Sequence, residues 1–119
     1  TALAAALSVA GVPAERFLFL GFLPRRRAAR RALLAEASAR PLALVAYEAP
    51  HRLVETLADL EAVVGERVVV AASELTKLYE EVLRGTPARL LEHFRARRPR
   101  GEYTLVVSPP GPEESEDQG

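Results

Sequence analysis

Leu42-Ala43-Leu44-Val45-Ala46-Tyr47-Glu48-Ala49-Pro50-His51-Arg52-Leu53 is an unbroken apolar run that gives way to a phenol, a carboxylate, an imidazole and a guanidinium around one proline. Residues 42–47 predict a buried strand, opened by Pro41. Pro50 predicts the start of a helix whose apolar face is Leu53, Val54, Leu57, Leu60 and Val64, ended by Gly65. The same strand-then-helix unit recurs on both sides. Upstream, residues 17–22 form another apolar run, Pro24 marks a helix start, and residues 25–39 carry a helical pattern through Ala29, Ala32, Leu33, Leu34 and Ala37. Residues 1–10 form an alanine-rich helix stopped by Gly11 and Pro13. Downstream, residues 67–72 are Val-rich and β-branched, and residues 80–83 suit a short edge strand. Thr86 caps a helix with Pro87 at its first position and Leu90, Leu91 and Phe94 inside, and residues 102–107 form a last strand. Alternation of this kind predicts an α/β domain of three layers, αβα, with a mixed, mostly parallel sheet of about five strands. The domain spans 1–107, and residues 108–119 read as a disordered acidic tail.

Composition narrows the chemistry. The 119 residues fit one domain. There is no cysteine, which removes disulfides, thiolate nucleophiles and Cys-based zinc sites. No apolar run approaches the roughly 18 residues of a membrane span, and the first helix lacks a basic leader, so a cytoplasmic protein is expected. Lys and Arg together number 16, as do Asp and Glu, but Lys77 is the single lysine. Glu113, Glu114, Glu116 and Asp117 crowd the tail and leave the body basic. A basic body suits an anionic partner such as RNA. A general preference for Arg over Lys gives the same composition.

Ligands of open α/β sheets bind beyond the carboxyl ends of the strands. That rule selects Gly21-Phe22-Leu23-Pro24, Tyr47 to Arg52, and Ser73-Glu74-Leu75-Thr76-Lys77. At the second junction a helix start can receive an anion, which is either Glu48 itself as a cap or a substrate group. At the third, Glu74, Thr76 and Lys77 suit a substrate hydroxyl or phosphate, and equally a local ion pair in a turn. Arg25, Arg26, Arg27, Arg30 and Arg31 oppose the dipole of the helix they open, so they call for phosphates or for solvent. Arg95, Arg97, Arg98 and Arg100 form a second basic patch. His51 and His93 match no metal-ligand spacing, and no metal is expected. Nucleophile-elbow, P-loop and dinucleotide-binding signatures are missing from the sequence.

Four segments, in order, resemble the family of ribosomal RNA small-subunit methyltransferase I. They are Leu7-Ser8-Val9-Ala10-Gly11-Val12-Pro13 with Arg16-Phe17 and Gly21 to Pro24; Tyr47 to Leu53; Glu74 to Lys77 with Glu80-Glu81 and Arg84-Gly85; and Gly101-Glu102-Tyr103. The resemblance covers the chain to about Val107 and implies the C-terminal half of the tetrapyrrole-methylase fold. It implies a two-domain, S-adenosylmethionine-dependent enzyme that methylates a cytidine 2′-oxygen in 16S rRNA. The cofactor would sit in a cleft between the halves, mostly held by an N-terminal domain that lies outside this chain, so the isolated fragment is expected to be inactive. A homodimer and no membrane association are also implied. The family usually carries Arg where Ser73 stands here.

Methyl transfer to a ribose hydroxyl needs that hydroxyl aligned and its proton removed. The candidate catalytic residues are Glu48, Lys77, His51 and Glu74. Tyr47, Glu48, Arg52, Thr76, Lys77, Arg25, Arg26 and Arg27 are the candidates for substrate binding. The alternatives are a tetrapyrrole or protein acceptor on the same fold, and a non-catalytic RNA-binding or dimerisation domain.

Overall fold

The computed structural model describes residues 2–11, 16–74 and 80–110. Its elements run α1 (Ala2–Ala10), β1 (Phe17–Phe22), α2 (Arg27–Ser38), β2 (Ala43–Glu48), a 3₁₀ turn (Pro50–Arg52), α3 (Leu53–Val64), β3 (Val69–Glu74), β4 (Glu80–Gly85), α4 (Pro87–Ala96) and β5 (Tyr103–Val107). The strands form one sheet in the order β1-β2-β5-β3-β4.

The sheet is mixed, as its sequence suggests, but its balance differs from a mostly parallel one. β1 pairs parallel with β2, whereas β5 inserts antiparallel between β2 and β3, and β4 pairs antiparallel with β3. β1, β2 and β3 therefore point the same way, and β4 and β5 point back. The reason is topological. The last helix returns the chain to the middle of the sheet instead of to its edge, and β4 follows β3 as a direct antiparallel neighbour.

The two faces are covered unequally. On one, α2, α3 and α4 pack Leu34, Ala37, Leu53, Leu57, Leu60, Leu90, Leu91 and Phe94 onto Leu44, Ala46, Val69, Ala71, Tyr103 and Leu105. On the other, α1 lays Ala6 against Ala43, Val45, Val70, Ala72 and Val106. The alternation along β2 and β3 follows the period of a strand buried on both faces.

Several helix signals hold. The Thr86 hydroxyl accepts the Arg89 N–H at 3.3 Å, with Pro87 in the first turn. Gly65 ends α3 at φ +67°. The structure differs at two helix starts. α2 begins at Arg27, three residues past Pro24. Its buried row is Arg30, Leu34 and Ala37, while Ala29 and Ala32 are exposed. The helix after Pro50 opens as a single 3₁₀ turn before continuing as α3.

β1 carries an irregularity with consequences for the site. Its register on β2 shifts between Phe19 and Gly21, and Gly21 adopts φ +69°. A Cβ at Gly21 would approach only the Phe19 ring, at 3.9 Å, so space does not demand glycine here. The backbone does. Gly21→Ala is expected to lower stability by about 1–2 kcal/mol, the cost of a left-handed conformation for an L-residue. Urea unfolding measures it, and an unchanged midpoint would refute the assignment.

At the opposite end of the sheet, Arg67 ties three segments together. Its guanidinium donates to the carbonyls of Ser108 (2.8 Å), Ser38 (3.4 Å) and Leu42 (3.4 Å). The Ser108 N–H also donates to the Val68 carbonyl at 2.8 Å. Ser108, where the sequence places the start of a tail, thus belongs to the domain. Residues 111–119 lie outside the described residues.

Candidate functional site at the carboxyl ends of β1, β2 and β3

The strand directions bring the sequence motifs to one place. β1, β2 and β3 end at the same edge of the sheet, and β5 begins there, since Tyr103 is registered with both Glu48 and Ser73. The Gly21, Tyr47, Glu74 and Gly101 segments, scattered in sequence, thus share one rim. β4 starts there as well, with Glu80 opposite Glu74.

Glu48 is not open on this rim. It is 0% exposed, and three groups donate to it. Oε1 accepts the Ala49 N–H at 2.8 Å and Arg52 Nε at 3.1 Å, and Oε2 accepts the Thr56 hydroxyl at 2.7 Å. Neither helix start here has a side-chain cap, so Glu48 does not cap in the usual sense; it ties the N-cap residue Ala49 to Arg52 and Thr56. The carboxylate fixes the 3₁₀ turn and the first turn of α3 to the end of β2. In this structure Glu48 therefore acts on the position of its neighbours, and its three hydrogen bonds leave it buried beneath the rim.

Its neighbours face outward. His51 is exposed, and Arg52 is partly buried with one nitrogen 2.9 Å from His51 Nε2. A guanidinium has only donors, so in this pair Nε2 accepts. Glu74 is exposed at the end of β3. Thr76 and Lys77 lie outside the described residues. Ser73, by contrast, is buried, and its hydroxyl has no partner among the described residues.

The arginine cluster after β1 divides. Arg25, Arg26 and Arg27 are exposed. Arg30 is 1% exposed and points inward, donating from Nε to Asp59 Oδ2 and from its terminal nitrogens to the Arg25 carbonyl (3.1 Å) and Glu55 Oε1 (3.3 Å). Arg31 Nε reaches Asp59 Oδ1 at 2.6 Å, with Arg27 Nε at 3.6 Å from the same oxygen. Asp59 is 1% exposed and belongs to α3. It therefore supplies, from within the chain, much of the counter-charge that the first turns of α2 require. Residues 27, 30 and 95 also line a groove of about 250 Å³ with Val54, Glu55 and Ala58.

Sequence reasoning missed Asp59 and Thr56. Each is a polar residue on the otherwise apolar face of α3, and that placement was the available signal. It also missed the aromatic surface at the rim. Tyr47 lies 5.3 Å, centroid to centroid, from both Phe19 and Phe22, with the ring planes inclined at 75° and 60°. Phe19 is 50% exposed and Phe22 58%.

Comparison with known proteins places this geometry. No family model matches the chain. A ribosomal RNA small subunit methyltransferase I from Erythrobacter litoralis is 42% identical over 113 residues, covering 95% of this chain. The protein of that name from Thermotoga maritima is 41% identical over 108 residues, and the one from Pseudomonas aeruginosa 46% over 111. The chain belongs to this family. It matches the C-terminal part of these members and spans 40, 48 and 39% of their lengths. Among solved structures, the methyltransferase CobJ superposes with a TM-score of 0.65 at 17% identity, over 92% of this chain and 48% of that one. The cobalt precorrin-4 methyltransferase CbiF gives 0.63 at 13%, over 91% and 48%. These likenesses show the fold, that of one half of a tetrapyrrole methylase. Among the described residues no helix is long and apolar enough to cross a membrane, and no group of three or more His, Asp or Glu could hold a metal.

Proposed function

We propose that this chain forms the C-terminal half of an S-adenosylmethionine-dependent enzyme that methylates a cytidine 2′-oxygen in small-subunit ribosomal RNA. The observation that carries the reading is that the Gly21, Tyr47, Glu74 and Gly101 segments share one rim of the sheet, combined with 41–46% identity to proteins of that name. The donor supplies an electrophilic methyl on its sulfonium. It would lie against this rim with the remainder of its site on an N-terminal domain. The described part of the rim suits a nucleoside of that kind in character, offering aromatic surface beside exposed His51 and partly exposed Arg52.

Within this half, Tyr47, His51, Arg52 and Glu74 are proposed to serve the cleft, and Thr76 and Lys77 are proposed with them on the sequence alone. A proton on the ribose hydroxyl would pass to His51 or Glu74, and Lys77 would hold the neighbouring phosphate. Exposed Arg25, Arg26 and Arg27 would bind the RNA backbone beyond. Glu48 contributes by holding the turn that carries His51 and Arg52. The protein is proposed to work in the cytoplasm as a homodimer.

A protein containing this chain and the upstream half of its relatives, given unmethylated small ribosomal subunits and methyl-labelled donor, is expected to place label on cytidine when the RNA is digested to nucleosides. Label on a tetrapyrrole or protein acceptor, and none in RNA, would reject the substrate and keep the fold.

A further inference from the structure

The Phe19, Tyr47 and Phe22 surface is built by a specific device. Residues 19 and 22 are three apart, and in an unbroken strand they would point to opposite faces of the sheet. The register shift before Gly21 changes that. Phe19 pairs with Val45 and Phe22 with Tyr47, two residues further on, so all three rings reach the same face. That face is the one α1 covers, and the trio sits at its carboxyl end, with both phenylalanines on the edge strand and Tyr47 on its neighbour. The bulge thus turns an aromatic ring out of a strand and leaves it 58% exposed at the rim. Neither phenylalanine lies parallel to Tyr47, so the rings keep π surface that stacking within the trio does not use.

The surroundings say which occupant fits. No acidic residue occurs between Arg16 and Ala35, and exposed Arg25 and Arg26 follow Phe22 by three and four positions. Exposed His51 follows Tyr47 by four. An apolar partner would leave the two guanidiniums unanswered. Exposed aromatic faces beside solvated cations are what an unpaired stretch of RNA uses, with bases stacking on the rings and phosphates meeting the arginines.

We propose that the Phe19–Tyr47–Phe22 surface stacks an unpaired base of the RNA, with Arg25 and Arg26 holding the flanking phosphates; this rests on the RNA reading above but not on which atom is methylated.

The test measures binding of the protein to a short cytidine-rich single-stranded RNA by fluorescence anisotropy across a salt series. Phe22→Ala and Phe19→Ala should each weaken binding about fivefold or more without changing the salt slope, because base stacking is not ionic. Phe22→Leu, which keeps apolar area and loses the π face, should weaken it nearly as much. Arg25→Ala with Arg26→Ala should instead flatten the slope, by about 0.7 for each phosphate that is no longer neutralised. An abasic site in the RNA should weaken wild type and leave Phe22→Ala unaffected. Melting temperatures serve as the folding control, and these exposed side chains should leave them nearly unchanged.

Three results would overturn the proposal. In the first, both phenylalanine variants bind RNA like wild type. In the second, RNA binding persists while affinity for S-adenosylmethionine falls, which would assign the rings to the donor's adenine. In the third, Phe22→Ser changes the sedimentation coefficient and not RNA affinity, which would assign them to a second copy of the chain. RNA binding that depends on Phe22, in a protein that puts no methyl into RNA, would leave this proposal standing and strike the methylation reading instead.

Discussion

Asp59→Ala is expected to destabilise the domain by about 3–5 kcal/mol, the range for removing one partner of a buried ion pair. The substitution leaves Arg30, 1% exposed, with its Nε facing a void. Its remaining partners are two backbone carbonyls and Glu55, whose side chain is 65% exposed. Arg31 is deprived of its 2.6 Å hydrogen bond at the same time. Urea unfolding should show the effect as a lower midpoint with an unchanged slope. Glu55→Ala provides the contrast. It removes a largely solvated ion of the same cluster and should cost no more than about 1 kcal/mol. Replacing Arg30 by Met and Asp59 by Leu together should recover much of the loss, because the cost arises from an orphaned charge and not from the pair's net attraction. Equal effects of Asp59→Ala and Glu55→Ala would show that the cluster is solvated and that Asp59 does not anchor α2 to α3.

Two substitutions at Glu48 separate a structural from a catalytic carboxylate. Glu48→Ala strands the Ala49 N–H, the Arg52 guanidinium and the Thr56 hydroxyl in a buried site, and is expected to cost about 3 kcal/mol or more. Glu48→Gln preserves the shape. Its oxygen can keep the Ala49 and Arg52 bonds, and the Thr56 hydroxyl can rotate to accept from the amide. The Ala49 and Thr56 bonds then become neutral ones and Arg52 loses its counter-charge, a loss of about 1–3 kcal/mol in all. Methyl transfer by the Gln variant of the complete protein should stay within about tenfold of wild type, less than the usual 10²–10⁴-fold contribution of a general base. A drop of about a thousandfold in a folded Glu48→Gln protein would restore Glu48 as the base.

How much of this was legible in the sequence depends on the kind of interaction. Strand and helix positions were, because they rest on local patterns. The Phe17 to Phe22 run, the Thr86-Pro87 cap and the Gly65 stop are each decided within a few residues. Sheet order was not, because the placement of β5 between β2 and β3 depends on pairings of residues tens of positions apart. The rim was found, since the carboxyl-end rule needs only the strands. The roles of its residues were not. Glu48 looks the same in sequence whether it is buried or open to a substrate, and its bond to Thr56, eight residues on, appears only in the fold. Arg30 reads as one more member of a basic cluster until α3 supplies Asp59. The bulge at Gly21 hides in an apolar run, and with it the reason that Phe19 and Phe22 share a face.

The measurement that tests the central claim most directly is alkaline hydrolysis of RNA methylated by the complete protein with labelled donor. A 2′-O-methyl group removes the nucleophile that cleaves the adjacent phosphodiester, while a methyl on the base does not. The account predicts that the label is recovered in alkali-resistant dinucleotides with cytidine at the 5′ position. Label released wholly in mononucleotides would mean base methylation, and would contradict the proposed transfer to a ribose hydroxyl.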